Sequence, residues 1–407
     1  MRRRAGAAAV AAWIAAAAGC GGSTDPSRTG SSPGSLPAQG GGDPPAGGGG
    51  GDPPSTGPST GGPSTGVEPP PAIRPDALEV TYRETRYQLL AVGADGTAYG
   101  HEIGEPPEQL WASADGRAWT PRGALPAGRS FFVIAPLRSG TLLADTKGPD
   151  GHALSRSTDG GRSWSDVLAL GSYRLLTPRS VAELGGEVLV LEYQAFSGAP
   201  VPIRLWASAD DGSTWAVRSE TAEHRHGHGL LADPDAGALW LFYGDLAGGT
   251  YLSFDGGATA TLARAPLEGG VLVSAAVTGD GLLGGLDTLW SQLPPAVVSL
   301  SLSGAYDRGA PLPGPSYSIH ALRGGGYLVG AAREPDGDVY PDDSAHLLAS
   351  ADGRTFQEVF ACPRLDPLVT ARADVYFQLA DGEPVVQVVN CDGFGAGGVG
   401  YALLGSP

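Results

Sequence analysis

The stretch that decides the fold is Ser157-Thr158-Asp159-Gly160-Gly161-Arg162-Ser163-Trp164, a short hairpin signature that recurs along the chain. A full second copy spans Ser208–Trp215, shorter copies span Ser113–Trp119 and Ser350–Phe356, and Ser253–Gly257 keeps the turn without the aromatic residue. A Ser and an Asp two positions apart bond the backbone N–H groups of a tight turn, and Gly supplies the positive φ that a hairpin needs. We therefore interpret the defining residues of the five copies as structural: Ser113, Asp115, Trp119, Ser157, Asp159, Gly161, Trp164, Ser208, Asp210, Gly212, Trp215, Ser253, Asp255, Gly257, Ser350, Asp352 and Phe356.

A second repeating element is a tight turn between two apolar runs of strand length. Successive turns are roughly 43–56 residues apart, which is the length of a four-stranded propeller blade with its loops. Seven turns predict an all-β, seven-bladed β-propeller. The turns are Asp95-Gly96, Ser139-Gly140, Gly185-Gly186, Asp235-Ala236-Gly237, Asp280-Gly281, Gly324-Gly325-Gly326 and Asp381-Gly382.

The last blade is short by one strand. Its third strand is Tyr401–Leu404, and the sequence stops at Pro407, where another hairpin copy would begin. A spare strand, Leu78–Arg83, precedes the first blade. We expect this strand to pair with the last blade and close the ring, which removes an open sheet edge.

The first 76 residues carry targeting and tether signals. Residues 1–19 combine Arg2–Arg4 with an apolar run too short to span a bilayer and end next to Cys20, as a lipoprotein signal peptide does. Lipidation of Cys20 is the expectation, and cleavage as an ordinary secretory peptide is the alternative. Residues 20–76 are dominated by Gly, Pro, Ser and Thr, which predicts a disordered tether. The propeller is expected over residues 77–407, on a monomer held outside the cytoplasm at the cell envelope, at the outer membrane or the cell surface.

Charge and cysteine content narrow the classes of partner. The formal net charge of −17 disfavours nucleic acid, because phosphate contacts need a basic face. In an oxidising compartment Cys362 and Cys391 are expected to form a disulfide. Two unpaired buried thiols are the alternative.

A ligand is expected on the face of the propeller opposite the recurring hairpins, since tight turns crowd the hairpin face and the long loops lie on the other. Candidate contacts are Tyr193, Trp290 and Tyr340 in those loops. Arginines recur just before the innermost strands, and if they converge they form a cationic mouth for a carboxylate or sulfate ligand. The alternative, which is favoured, is that they are solvated or paired with acids of neighbouring blades. These arginines are Arg86, Arg129, Arg179, Arg225 and Arg372.

Two segments contain metal-capable side chains. In His224-Arg225-His226-Gly227-His228, alternate imidazoles of an extended chain point to one side, and Zn²⁺ or Cu²⁺ would suit them. Surface or mouth-lining imidazoles without an ion, His226 and His228 among them, are the favoured interpretation. The acidic run Asp336–Asp343 offers oxygen ligands for Ca²⁺ but lacks an EF-hand pattern, so a solvated loop is favoured. We expect no metal and no cofactor.

The five hairpin copies resemble the Asp-box, also called the bacterial neuraminidase repeat, of the sialidase superfamily. That resemblance implies a β-propeller and three kinds of function. The first is a non-enzymatic surface lipoprotein that binds protein or glycan partners. The second is an exo-sialidase or another glycoside hydrolase, although the Phe-Arg-Ile-Pro motif of sialidases is absent and no catalytic residue can be assigned. The third is an assembly or scaffold factor similar to the seven-bladed photosystem-assembly proteins. The first is preferred, because no nucleophile and base form a recognisable pair.

Overall fold

Short β-branched and aromatic runs, separated by Gly, Asp and Ser turns, fold into seven four-stranded antiparallel sheets. The computed structural model describes residues 74–105, 108–194 and 201–405, and these residues belong to one compact unit. The expected signal peptide, Cys20 and most of the expected tether lie outside the described residues. Over the described residues the chain is an all-β, seven-bladed propeller, as the turn spacing predicts.

Each blade takes four strands that are consecutive in the chain, except the last. Blades 1 and 2 contain β2 (Tyr87–Val92), β3 (Ala98–Glu102), β4 (Gln109–Ser113), β5 (Thr120–Ala124), β6 (Ser130–Pro136), β7 (Leu142–Gly148), β8 (Gly151–Ser157) and β9 (Ser165–Gly171). Blades 3 and 4 contain β10 (Val181–Leu184), β11 (Glu187–Leu191), β12 (Ile203–Ser208), β13 (Ala216–Thr221), β14 (Gly227–Asp233), β15 (Ala238–Tyr243), β16 (Gly249–Ser253) and β17 (Thr261–Arg264). Blades 5 and 6 contain β18 (Leu272–Val277), β19 (Gly281–Leu286), β20 (Ala296–Ser301), β21 (Tyr306–Pro311), β22 (Ser318–Ala321), β23 (Tyr327–Ala331), β24 (Ser344–Ser350) and β25 (Gln357–Pro363).

Blade 7 closes the ring with the strand that precedes blade 1. It contains β26 (Arg372–Gln378), β27 (Pro384–Val389), β28 (Gly400–Gly405) and β1 (Glu79–Glu84), which runs antiparallel to β28. Val80 pairs with Leu404 and Arg83 with Ala402. The expected closure is therefore confirmed, with the strand shifted by one residue from the expected Leu78–Arg83.

Helical structure among the described residues is limited to single 3₁₀ turns in the connections. They span Pro75–Ala77, Pro178–Ser180, Asp245–Ala247, Pro266–Glu268 and Ala396–Gly398. No helix in the described part of the chain has the length and apolar character that a membrane crossing requires.

The recurring Ser-x-Asp hairpins join the third and fourth strands of blades 1, 2, 3, 4 and 6. In blade 2 the Asp159 carboxylate accepts hydrogen bonds from the Ser157 hydroxyl and from the backbone N–H groups of Arg162 and Ser163. The backbone N–H of Gly161 donates to the Ser157 hydroxyl at 2.9 Å, and the positive φ of Gly161, 83°, permits this turn. These bonds, first among them those to Ser163, hold the pKa of Asp159 below its usual range. All of these hydrogen bonds join residues within the hairpin, which fits a structural role for Asp159.

The core lies between blades. Trp119, which closes the hairpin of blade 1, stacks on Tyr87 with ring centroids 5.1 Å apart and donates its Nε1 hydrogen to the Tyr401 hydroxyl of blade 7. A disulfide joins Cys362 on β25 of blade 6 to Cys391, just after β27 of blade 7. Ring packing thus links blade 1 to blade 7, and a covalent bond links blade 6 to blade 7.

Candidate functional site

The two faces of the propeller differ in the length of their connections. We call the face with the first-to-second turns and the Ser-x-Asp hairpins the turn face. The opposite face, with the second-to-third loops and the connections between blades, is the loop face. The innermost strands β14, β18, β22 and β26 contact one another around the central channel, and each begins at the loop face. The loop-face end of the channel is called the mouth here.

The three aromatic candidates of the loop face differ in accessibility. Trp290, between β19 and β20, is 48% exposed. Tyr340 is half-buried beneath the Arg333 guanidinium, which lies 4.0 Å from the ring centroid. Tyr193 is fully buried, because it forms a β-bridge with Arg174 and stacks on His226 at 4.6 Å. The expectation of a surface contact at Tyr193 is therefore wrong, whereas Trp290 is available to a ligand.

The candidate arginines do not form a cationic mouth. Three of the ion pairs are Arg86 with Glu102, Arg129 with Asp166 and Arg225 with Asp245. Arg372 lies 3.5 Å from Asp374 on its own strand. These four arginines therefore pair with acids, as one of the alternatives from the sequence has it. All four partners belong to the same blade as the arginine or to its connections, and not to a neighbouring blade as expected.

Arg179 behaves differently from the other four. It lies in the connection before β10 of blade 3 and reaches across the channel, where its Nη2 contacts His320 Nδ1 at 3.2 Å and the Tyr376 carbonyl at 3.4 Å. Burial lowers the pKa of this guanidinium. Beside it lies a cavity of about 220 Å³ that opens toward the ends of the innermost strands at the turn face, with Arg138, Glu183 and Phe377 in its wall. Arg179 thus narrows the channel between that cavity and the mouth.

Buried acids collect at the mouth, and the sequence patterns do not reveal them. Glu334, which follows β23, is 2% exposed and accepts a hydrogen bond from the Tyr317 hydroxyl. Burial raises its pKa to about 7, with a contribution from Asp245. Burial and the neighbouring Glu334 and Asp245 raise the pKa of Asp287, which follows β19, well above its usual range. Each acid follows the second strand of a different blade, so only the ring closure of the fold brings them together.

Two imidazoles of blade 4 meet at the same mouth. His226 and His228 are both fully buried, and their Nε2 atoms lie 3.1 Å apart. The Nδ1 of His226 contacts the Gln194 carbonyl at 3.2 Å, and the Nδ1 of His228 contacts the Leu272 carbonyl at 3.0 Å. Burial lowers the pKa of His226 to about 2 and lowers that of His228. Asp245 Oδ2 lies 3.9 Å from His226 Nε2.

Among the residues that the structure describes, metal-type ligand atoms converge only at His226, His228 and Asp245. The third histidine of the segment, His224, points elsewhere and packs on Tyr243 at 4.3 Å. The expectation of imidazoles without an ion stays a prediction, and these three residues are the described group whose ligand atoms could hold one.

The acidic loop Asp336–Asp343 presents no comparable set. The carboxylate of Asp343 binds Arg333 and Arg364. Asp338 accepts hydrogen bonds from Ser291, and Asp342 lies 3.1 Å from His346 Nε2. These carboxylates serve separate partners, which disfavours a shared Ca²⁺.

Comparisons with known proteins identify the fold of the chain but do not assign it to a family. No protein-family model matches the chain, and no curated protein matches it. Many solved structures are similar, and three of them are described here. A YCF48 bound to D1 peptide has a TM-score of 0.51 and 16% identity, over 83% of this chain and 100% of that one. Virginiamycin B lyase from Staphylococcus aureus has a TM-score of 0.50 and 14% identity, and the match covers 81% of this chain and 98% of the lyase chain. The Niastella koreensis GH74 enzyme has a TM-score of 0.50 and 13% identity, and the match covers 80% of this chain and 60% of the GH74 chain. At these identities the likeness shows the fold alone.

Proposed function

We propose that the chain is an extracytoplasmic propeller, anchored by a lipid on Cys20, that binds a protein partner through its loop face without catalysing a reaction. The apolar side chains exposed on that face carry the proposal. The sequence features of residues 1–20 support the extracytoplasmic location. The likeness to YCF48, a propeller whose structure contains a bound D1 peptide, supports a protein partner.

Exposed apolar side chains concentrate on the loop face. Of the seven large apolar residues that are exposed in the described part of the chain, Leu267, Trp290, Leu365 and Leu368 lie in connections of this face. Leu368 is 83% exposed and Leu267 is 71% exposed. On the turn face only Phe254 is of this kind, and the remaining two, Val217 and Leu262, lie on outermost strands. The loop face therefore offers more exposed apolar side chains to a partner than the turn face does, and aromatic residues such as Trp290 are among those that most often dominate binding energy.

A glycoside hydrolase is the second candidate, and the Tyr317–Glu334 pair favours it. The sialidase superfamily, which the hairpins resemble, uses a Tyr nucleophile paired with Glu. A carboxyl with a raised pKa also suits general acid catalysis. Tyr317 and Glu334 are, however, 6% and 2% exposed, so a sugar ring has no access to them in this conformation. Binding therefore ranks above hydrolysis.

The experiment selects ligands on the purified chain from a random peptide library and, in parallel, from a glycan array. We expect peptide binders whose affinity falls at least tenfold, about 1.4 kcal/mol, in Trp290→Ala and in Leu368→Ser. The matched control is Phe254→Ala, an exposed aromatic on the turn face, which should bind as wild type does. Selection of glycans instead of peptides, or affinity lost only in Phe254→Ala, would contradict the proposal. Turnover of a fluorogenic sialoside, abolished by Tyr317→Phe, would establish the second candidate.

A further inference from the structure

Three contacts around His226 and His228 need more protons than two neutral imidazoles possess. Each Nδ1 faces a backbone carbonyl, which can only accept, so both Nδ1 atoms carry the hydrogen. Both Nε2 atoms then present lone pairs to each other at 3.1 Å. A third proton between them would create an imidazolium where both rings are fully buried and Asp245 Oδ2 lies 3.9 Å from His226 Nε2, beyond hydrogen-bond distance. A buried charge without a hydrogen-bonded counter-ion is costly. A cation between the two Nε2 atoms satisfies all three contacts.

Gly244 packs directly against both imidazoles. A Cβ built on this glycine would lie 2.2 Å from both Cδ2 and Nε2 of His226 and 2.4 Å from His228 Nε2. A side chain at this position would therefore displace the two rings and separate the nitrogens that would hold the ion. The φ of Gly244 is −82°, which any residue adopts. The absence of a side chain here is therefore explained by the space and not by the backbone conformation.

The position of Asp245 fits a third ligand of the same ion. Ligand atoms of a tetrahedral zinc site are about 3.3 Å apart for bonds of that length. The measured separations are 3.1 Å between the nitrogens and 3.9 Å from His226 Nε2 to Asp245 Oδ2. The carbonyls of Gln194 and Leu272 accept the Nδ1 hydrogens of His226 and His228 and so orient both rings, as outer partners of metal-bound imidazoles do. Asp245 Oδ2 also accepts a hydrogen bond from Arg225, so the ion would share this carboxylate with the guanidinium.

We propose that His226, His228 and Asp245 form a binding site for one divalent transition-metal ion of the zinc type. Two imidazoles and one carboxylate are the donor set of zinc sites that keep a position for water or a ligand. Nitrogen ligands disfavour Mg²⁺ and Ca²⁺, which bind through oxygen. This inference is independent of the partner binding proposed above.

The test uses the untagged full chain after dialysis against a chelator. Titration with Zn²⁺ by calorimetry should show one site per chain, and Co²⁺ should give the visible absorption of a nitrogen-ligated tetrahedral ion. Mg²⁺ should not compete. We expect His228→Gln and Gly244→Ala each to weaken Zn²⁺ binding by at least about 100-fold. His224→Gln is the matched control, a buried histidine of the same segment outside the set, and it should bind within about threefold of wild type.

Two results would overturn the proposal. The first is a wild-type chain that takes up neither Zn²⁺ nor Co²⁺ after chelation. The second is Zn²⁺ binding that persists in both His228→Gln and Gly244→Ala, which would place the ion at surface groups. If His228→Gln fails to fold, as judged by circular dichroism, Gly244→Ala and the wild-type titration still decide the question.

Discussion

Glu334→Gln should stabilise the protein at neutral and higher pH. Glutamine keeps the shape of the side chain and can still accept the hydrogen bond from Tyr317, but it carries no charge to bury. The pKa of Glu334 is raised from 4.5 to about 7, a difference of about 2.5 units that is worth roughly 3 kcal/mol. Because the folded state holds this proton more tightly than the unfolded state, its contribution to stability is complete below about pH 4.5 and is lost as the pH rises through about 7. The advantage of the variant should grow by about 2 kcal/mol between about pH 5.5 and about pH 8.5.

Urea unfolding of both proteins at the two pH values, with a chelator present so that no ion is bound nearby, measures this difference. Glu268→Gln is the control, because Glu268 is exposed in its pair with Arg264. The stability of Glu268→Gln relative to wild type should change little with pH. An advantage of Glu334→Gln that is the same at both pH values, or that shrinks as the pH rises, would refute a buried and protonatable Glu334.

Three further predictions concern the hairpins, the disulfide and the anchor. Asp159→Ala removes the acceptor of the blade 2 hairpin and should cost on the order of 1–3 kcal/mol in urea unfolding while ligand binding is retained; lost binding with unchanged stability would mean that the hairpin is functional. Replacing both Cys362 and Cys391 by Ala opens a loop of 29 residues and should lower the unfolding free energy by roughly 3–4 kcal/mol. A urea midpoint of wild type that does not respond to reductant would argue against this bond. Cys20→Ser should release the protein from the membrane fraction or leave its precursor uncleaved, and unchanged processing and membrane association on immunoblots would point to another kind of signal.

The blades were predictable because their signals are local. A strand, its turn and its Ser-x-Asp hairpin lie within one stretch of sequence, and the missing fourth strand of blade 7 indicates how the ring closes. The mouth was not predictable in the same way. Asp287 and Glu334 meet only because two blades are neighbours in the ring, and neither belongs to a motif.

The histidine cluster could be predicted only in part from local sequence. The alternation of His226 and His228 on an extended segment is visible in the sequence, but the third donor, Asp245, lies beyond β15. Tyr193 appears in the sequence to be an exposed loop residue, yet its bridge to Arg174 draws it into the interior. The ion pairs of the arginines were also not predictable from local sequence, because the acids that pair with Arg129 and Arg225 follow 37 and 20 residues later in the chain.

Site-specific photo-crosslinking in cells that produce the protein tests the central claim most directly. A benzophenone amino acid replaces Trp290 or Leu368 on the loop face, and Phe254 on the turn face as the control. Binding through the loop face predicts that the same protein is crosslinked from positions 290 and 368 and is not crosslinked from position 254. Crosslinks that form from position 254 alone, or the absence of any protein crosslink at positions 290 and 368, would contradict it.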